Sequence, residues 1–311
     1  MLSTGNRLCR LCDKPGTLES ASEVVEVNSN VRQFAGERFT VWRCDNCFSL
    51  CSGDVPDLDH YYQQYPFKLQ KPNLGWRLIT QNYIRRLKKV GLRRGHTLLD
   101  YGCGSGLLVA ELRRRGYHRV IGYDAYNEKY IDRDALGRQY DFVVLQDVIE
   151  HDENPAYLLD EVIKLTVPGG IVCIGSPNAE AIDLRRPQSY LHSLHQPYHR
   201  NILSAQILRS LARNRGLTVL RFYNIYYADS FRPFANVRFR HYYARLFDNT
   251  LDLAFEKHML TWRLLKPKAL ALAFLGRLRP NRAEMMFIFR KPARQLPKVP
   301  GKEACKIGNE C

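Results

Sequence analysis

The chain has 311 residues, 45% of them hydrophobic, with a formal net charge of +16 and a pI near 9.5. That length accommodates a complete α/β domain with a small appended module, and the apolar content suffices for a core. No apolar run reaches the roughly 18 to 20 residues of a membrane-spanning helix, so a soluble or peripheral protein is expected and a helix-spanning one is excluded.

The first motif along the chain is a pair of Cys-x-x-Cys knuckles, Cys9/Cys12 and Cys44/Cys47, separated by the strand-rich stretches 23–27 and 38–42. Four thiolates at that spacing close a tetrahedral Zn2+ site. The long loop between the knuckles points to a zinc ribbon with its own β-hairpin rather than a compact finger. Two disulfides are the alternative, disfavoured because no secretory signal precedes Met1-Leu2-Ser3 and the rest of the chain reads as a cytosolic enzyme. Cys51 is either a substitute ligand or a free thiol. An aromatic segment, Asp59-His60-Tyr61-Tyr62-Gln63-Gln64-Tyr65, then leads into a helix near Trp76 to Val90. Its tyrosines suit an acceptor pocket or hydrophobic cement between ribbon and core.

Next comes Leu98-Leu99-Asp100-Tyr101-Gly102-Cys103-Gly104-Ser105-Gly106, an apolar strand ending in an acid and three alternate glycines, before a helix opening at Leu107. Such glycines let a turn approach a ligand closely. Leucine stands at 107, where the dinucleotide fingerprint requires glycine. An acid directly before the glycines suits a cationic ligand better than a phosphate. A second strand, 119–123, ends at Asp124, and a third, 140–145, delivers Gln146-Asp147-Val148-Ile149-Glu150-His151 at its carboxyl end. Asn154-Pro155 starts a helix through Leu165, Pro168-Gly169-Gly170 turns the chain, and 171–175 forms a further strand before Ser176-Pro177-Asn178. Cys103 and Cys173 read as packing residues.

In its glycine motif and in the order of its later strands, acids and turns, this stretch resembles the class I S-adenosylmethionine-dependent methyltransferases. The resemblance implies a Rossmann-like α/β sheet in which Asp100, Tyr101, Gly102, Cys103, Gly104 and Gly106 cradle the cofactor S-adenosyl-L-methionine. It further implies that Asp124 accepts from the ribose hydroxyls and that Gln146 and Asp147 edge the methionine part. Only sixteen residues separate Asp124 from Asp141, too few for the helix and third strand of a complete fold. A shortened β3 region is therefore expected, with the adenine pocket unassigned beyond a partial contribution from 134–136. Zinc ribbon, Tyr-Tyr-x-x-Tyr and methyltransferase core in this order resemble a bacterial ribbon-bearing group associated with sugar or surface-polysaccharide biosynthesis, over most of residues 9 to 225.

Farther along, Tyr190, His192, His195, Tyr198 and His199 crowd together before a helix from Ser204 to Arg215. Imidazoles in such numbers suit general-base work on an acceptor hydroxyl. Pro197 between His195 and His199 argues against a helix presenting both to a metal. His199 is the best match by position to a histidine that precedes the corresponding helix in related methyltransferases, and His151 and His199 are the two catalytic candidates; each could instead close a turn or cap a helix. Strands near 217–222 and 285–289 enclose a basic insertion, since 231–282 carries eleven Lys or Arg against Asp248, Asp252 and Glu256, a net +8. Its apolar pieces 259–266 and 269–275 flank Pro267, a composition that fits either a lid or an anionic membrane surface.

The expected division is a zinc ribbon over 1–60, a methyltransferase core over 61–225, a basic helical insertion over 226–282, a final core strand over 283–294 and a disordered tail over 295–311 with Cys305 and Cys311. The expected function is methyl transfer to a small-molecule, sugar or lipid-linked glycan acceptor, in the cytoplasm with peripheral contact at the inner membrane face. An RNA methyltransferase docking through the ribbon and basic surface is one alternative. Against it, the Asn/Asp-Pro-Pro-aromatic motif of base amino-group methylation is absent. A non-catalytic binding protein on the same fold is the other.

Overall fold

The computed structural model describes residues 8–65, 74–227, 229, 232–256 and 261–293. In chain order the elements are β1 (Glu23–Asn28), β2 (Arg38–Arg43), β3 (Leu50–Ser52), α1 (Leu58–Gln63), α2 (Leu74–Lys89), β4 (Leu98–Tyr101), α3 (Leu107–Arg114), β5 (Val120–Tyr123) and β6 (Tyr140–Gln146). Then come α4 (Pro155–Lys164), β7 (Thr166–Pro177), α5 (Leu191–Leu194), β8 (Asn201–Ile202), α6 (Ala205–Asn214), β9 (Thr218–Tyr223), α7 (Val237–Arg245), α8 (Pro267–Leu275) and β10 (Glu284–Arg290).

The central sheet has the order β5-β4-β6-β7-β10-β9. β4 pairs in parallel with both β5 and β6, and β7 continues in parallel, while β10 runs antiparallel between β7 and β9. Strand alternation explains the layering. Leu98, Phe142, Val144, Ile171, Cys173, Met286 and Ile288 face α2 and α3 through Tyr83, Ile84, Leu87, Val109 and Leu112. Their neighbours Leu99, Val143, Leu145, Val172, Ile174, Phe287 and Phe289 face α4 and α6 through Leu158, Leu159, Val162, Leu208 and Ala212. Strands buried on both sides read as unbroken apolar runs, as these do. This is a Rossmann-like sheet of the methyltransferase type, and the short segment between Asp124 and Tyr140 leaves β5 at its edge. A 3-10 turn, Arg133–Gly137, stands in place of a strand, with Ala135 buried and Asp134 exposed.

Two local expectations change. Pro168-Gly169-Gly170 does not turn the chain into a new strand; β7 already begins at Thr166. Gly169, at φ 79°, instead kinks the strand, and the pairing of β6 with β7 shifts register between Tyr140 and Phe142. The amino-terminal sheet, β1-β2-β3-β8, also recruits Asn201 and Ile202 from beyond β7, the fourth core strand in chain order. Arg43 fastens the two sheets together, donating to the carbonyls of Ala179 (3.0 Å) and Ile182 (2.6 Å) while its Nε meets Glu23 at 2.7 Å.

Between β9 and β10 the insertion folds as α7 packed on α8. Asn236 caps α7 by accepting from Phe239 N and donates from Nδ2 to the carbonyls of Leu272 and Ala273. Of the two apolar pieces expected, 269–275 falls within α8 and 262–265 is a 3-10 turn, while 257–260 lie outside the described residues. Residues 294–311, with the expected tail and its Cys305 and Cys311, also lie outside them. Among the described residues no helix is long and apolar enough to cross a membrane.

Candidate functional site

β4 pairs with β5 on one side and β6 on the other, so the strand order reverses between the carboxyl ends of β4 and β6, where open α/β sheets bind ligands. The glycine loop comes directly after β4. Gly102 has φ 71°, and a Cβ there would lie 2.3 Å from Val148 Cγ2, so only glycine lets the loop after β4 touch the loop after β6. Gly104, at φ 53°, has open space where its Cβ would stand. Gly106 is the N-cap of α3 beneath the Tyr130 ring, Tyr101 packs on Tyr123, and Cys103 N donates to Tyr123 O at 3.0 Å. Asp124 reaches back to this loop: Oδ2 accepts from Gly104 N at 2.8 Å and Oδ1 from Tyr126 N at 2.9 Å.

The acids around the loop are poised for a cation. Burial, reinforced by Asp124, pushes the Asp100 carboxyl up to about 7. Asp147 is held left-handed at φ 53°, a conformation that costs a non-glycine residue. Burial pushes it too up to about 7, against the opposing pull of the Tyr227 hydroxyl and Arg240. Beside it, the buried Oε1 and Nε2 of Gln146 have no partner among the described residues. An orphaned amide and two desolvated carboxylates around an open backbone fit a ligand with ammonium and sulfonium charges and polar edges, as S-adenosylmethionine has.

A second cluster adjoins this one. His151 and His199 meet edge to face with centroids 4.7 Å apart, and His195 lies 4.9 Å from His199. Hydrogen bonding separates their roles. His195 Nδ1 contacts Asn30 Oδ1 at 2.5 Å and its Nε2 contacts the Tyr65 hydroxyl at 2.9 Å, so both ring nitrogens are engaged. His199 Nδ1 donates to Ser193 O at 2.8 Å, which leaves its Nε2 lone pair facing Glu150 Oε1 at 3.9 Å. His151 Nδ1 contacts the Tyr62 hydroxyl at 2.8 Å, leaving its Nε2 open. Burial lowers His151 to about 4 and holds His199 well below the usual imidazole range, so both rings are neutral near pH 7. Burial, then Asp147, raises Glu150 well above the usual carboxylate range. One ligand atom each of Glu150, His151 and His199 lies within 4.8 Å of the others, close enough also to hold a metal ion.

Tyr62 joins the two clusters, because its ring stacks on Tyr126 with centroids 4.0 Å apart while its hydroxyl meets His151. Tyr61 looks the other way, packing on Phe34 and Phe39 and donating to Glu37. The tyrosine segment thus cements the amino-terminal sheet through Tyr61 and reaches the histidine cluster through Tyr62. Sequence reasoning gave the tyrosines a shared role as pocket or cement without separating Tyr62 and Tyr65 from Tyr61, and left Glu150 and Asn30 without a role. The i, i+3 spacing of Tyr62 and Tyr65 was the available signal for a shared direction, whereas nothing local marks Asn30.

The knuckle cysteines converge. Cys9 and Cys47 Sγ are 3.9 Å apart, as are Cys12 and Cys44 Sγ, and all four lie within 4.8 Å of one another. A disulfide needs about 2.05 Å between sulfurs, whereas a tetrahedron with Zn–S of about 2.3 Å has edges of about 3.8 Å. The geometry therefore fits four thiolates around zinc. Cys51 is buried nearby but stands outside this set.

A parallel sheet with a ligand cradle at its switch point and an antiparallel strand at position five defines the class, an α/β domain of the class I methyltransferase type. In agreement, residues 75–221 match the family model described as a methyltransferase domain. Over 124 residues the chain is 30% identical to the ubiquinone biosynthesis O-methyltransferase of Psychrobacter cryohalolentis, covering 32% of this chain and 46% of that protein. The counterpart from Acinetobacter baumannii is 27% identical over 176 residues, covering 45% and 71%. The chain thus spans about half the length of the first of these relatives. Among solved structures, an S-adenosylmethionine-dependent methyltransferase from Mesorhizobium loti aligns at TM-score 0.41 and 14% identity, covering 68% of this chain and 98% of that one. A SAM-dependent methyltransferase from Archaeoglobus fulgidus aligns at TM-score 0.40 and 15% identity, covering 68% and 94%.

Proposed function

We propose that this chain transfers the methyl group of S-adenosylmethionine to a hydroxyl of a small-molecule, sugar or lipid-linked glycan acceptor, with a structural zinc ribbon completing the site. The observation that carries the reading is the pair of neutral imidazoles, His151 with Nε2 open and His199 with Nε2 facing Glu150, beside the loop of Asp100, Gly104 and Asp124. When bound, the cofactor supplies a methyl group already activated on a cationic sulfur. The protein's task is to align the acceptor, exclude water and take the hydroxyl proton. Asp124 would hold the ribose hydroxyls, and Asp100, Gln146 and Asp147 the charged and polar edges. His151 or His199 would receive the proton, with Glu150 facing the imidazolium that forms. The Psychrobacter and Acinetobacter relatives are named O-methyltransferases, which agrees with an oxygen acceptor. Transfer of labelled methyl to hydroxylated acceptors, with the product a methyl ether, is the expected result. A product methylated only on nitrogen would contradict the assignment of a base.

The buried acids give this reading a pH signature. Asp100 and Asp147 are raised from 3.8 to about 7, so protonation favours the ligand-free fold, and stability falls as pH rises between those two values. A cationic ligand binds the ionised form. Its affinity should rise up to about tenfold per pH unit below 7 for each carboxylate that must ionise, then level off. Calorimetric titrations from about pH 5.5 to about 8.5 check this; an affinity flat across that range would remove both acids from the cofactor site.

A further inference from the structure

The insertion turns the wrong side of a helix to solvent. α8 buries its small residues Ala269 and Ala273 and exposes Leu270, Phe274 and Leu275, with Leu278 continuing the same face one turn on. Phe274 is 56%, Leu275 58% and Leu278 68% exposed, and Trp262 and Leu265 in the preceding turn reach 70% and 72%. An ordinary surface helix does the reverse, and apolar side chains clustered in this way mark an interaction site. The exposed charges around it are basic. Residues 261–283 carry the exposed Arg263, Lys266, Lys268, Arg279 and Arg282 and no acid, while Arg277 turns inward to Asp229 at 3.2 Å. Lys266 Nζ lies 5.0 Å from the centre of the Trp262 ring, joining cation and amphipathic aromatic at one point.

We infer that this face docks the protein on the surface of an anionic lipid bilayer, the apolar side chains entering the headgroup boundary and the basic rim meeting lipid charge. Charge complementarity selects that occupant: a second copy of the chain would set the same basic rim against itself. The other side of the insertion faces the site, since His241 of α7 stacks on His192 and Arg240 acts on Asp147. The surface stands independently of methyl transfer.

The test is co-sedimentation of the full chain with vesicles of phosphatidylcholine alone or with about 30% phosphatidylglycerol, together with the emission of Trp262 referenced to Trp262→Phe. Binding to the anionic vesicles should be at least about tenfold tighter than to neutral ones, weaken with salt and shift the Trp262 emission to the blue. Leu265→Ser/Phe274→Ser/Leu278→Ser should lose about tenfold or more of it while keeping its thermal melt, because all three side chains are exposed. Lys266→Glu/Lys268→Glu supplies an independent variant with the same expected loss. Absence of binding, equal binding to neutral vesicles, or variants that bind like the parent would overturn the proposal. So would a wild-type dimer that the triple variant converts to monomer, which would assign the face to a second copy.

Discussion

Replacing His151 with alanine should lower kcat by about 100- to 10,000-fold while leaving the affinity for S-adenosylmethionine within about twofold of the parent. The asymmetry arises from where the ring sits. His151 touches Tyr62 and His199, whereas the glycine loop and Asp124 bond to each other without it. His199→Ala separates base from partner. If His199 takes the proton it shows the larger loss, and if it only orients its neighbours, His151→Ala does. His195→Ala should act chiefly on stability, because both of its ring nitrogens are engaged by Asn30 and Tyr65. Burial holds His151 at about 4, so protonation of that imidazole should not limit kcat above about pH 5, and the acidic limb near 7 should belong to cofactor binding. Single-turnover rates with saturating cofactor measure the chemical step directly. Unchanged rates in both His151→Ala and His199→Ala would leave the proposed base without a carrier.

The second large effect is expected at the ribbon. Cys44→Ser should release zinc and unfold the amino-terminal sheet, since structural zinc typically contributes about 10 to 16 kcal/mol of apparent binding energy. The consequence should reach the active site selectively. The ribbon region supplies Asn30, which meets His195, and leads into Tyr62 and Tyr65, which meet His151 and His195. The glycine loop depends on β4, β5 and α3 instead. Methyl transfer should therefore collapse while cofactor binding by the core persists. Metal analysis, thermal melting and calorimetry on one preparation separate these readouts. A Cys44→Ser protein that still holds stoichiometric zinc and melts like the parent would refute the four-thiolate site.

The sequence was most informative where chemistry and backbone geometry coincide. Glycine-rich turns after strands are common in α/β proteins, but alternate glycines followed in order by Asp124, the 146–151 segment and the later strands point to one kind of site, and apolar runs such as 140–145 reveal strands buried on both faces. The short segment after Asp124 announced the narrowed sheet by length alone. What local reading missed depends on distant partners. The two residues of β8 have no strand signal of their own and owe their pairing to Leu50 and Cys51. α7, Val-Arg-Phe-Arg-His-Tyr-Tyr-Ala-Arg, lacks a clean apolar stripe and is fixed by its cap Asn236 and by α8. The histidines were visible as a group, but their division into engaged and open rings rests on Asn30 and Tyr65, which the fold brings from far along the chain. Likewise, the Pro-Gly-Gly segment looked like a turn because glycine permits both a turn and a kinked strand, and only pairing with β6 decides.

The most direct test of the central claim is calorimetric binding of S-adenosylmethionine and S-adenosylhomocysteine to zinc-loaded protein, beside Asp124→Ala. Saturable micromolar binding at about one site per chain, weakened at least about tenfold in Asp124→Ala, is expected for a carboxylate that accepts from ribose hydroxyls. Folded, zinc-loaded protein that binds neither ligand, or an Asp124→Ala variant that binds as tightly as the parent, would contradict a cofactor site built on the glycine loop and Asp124.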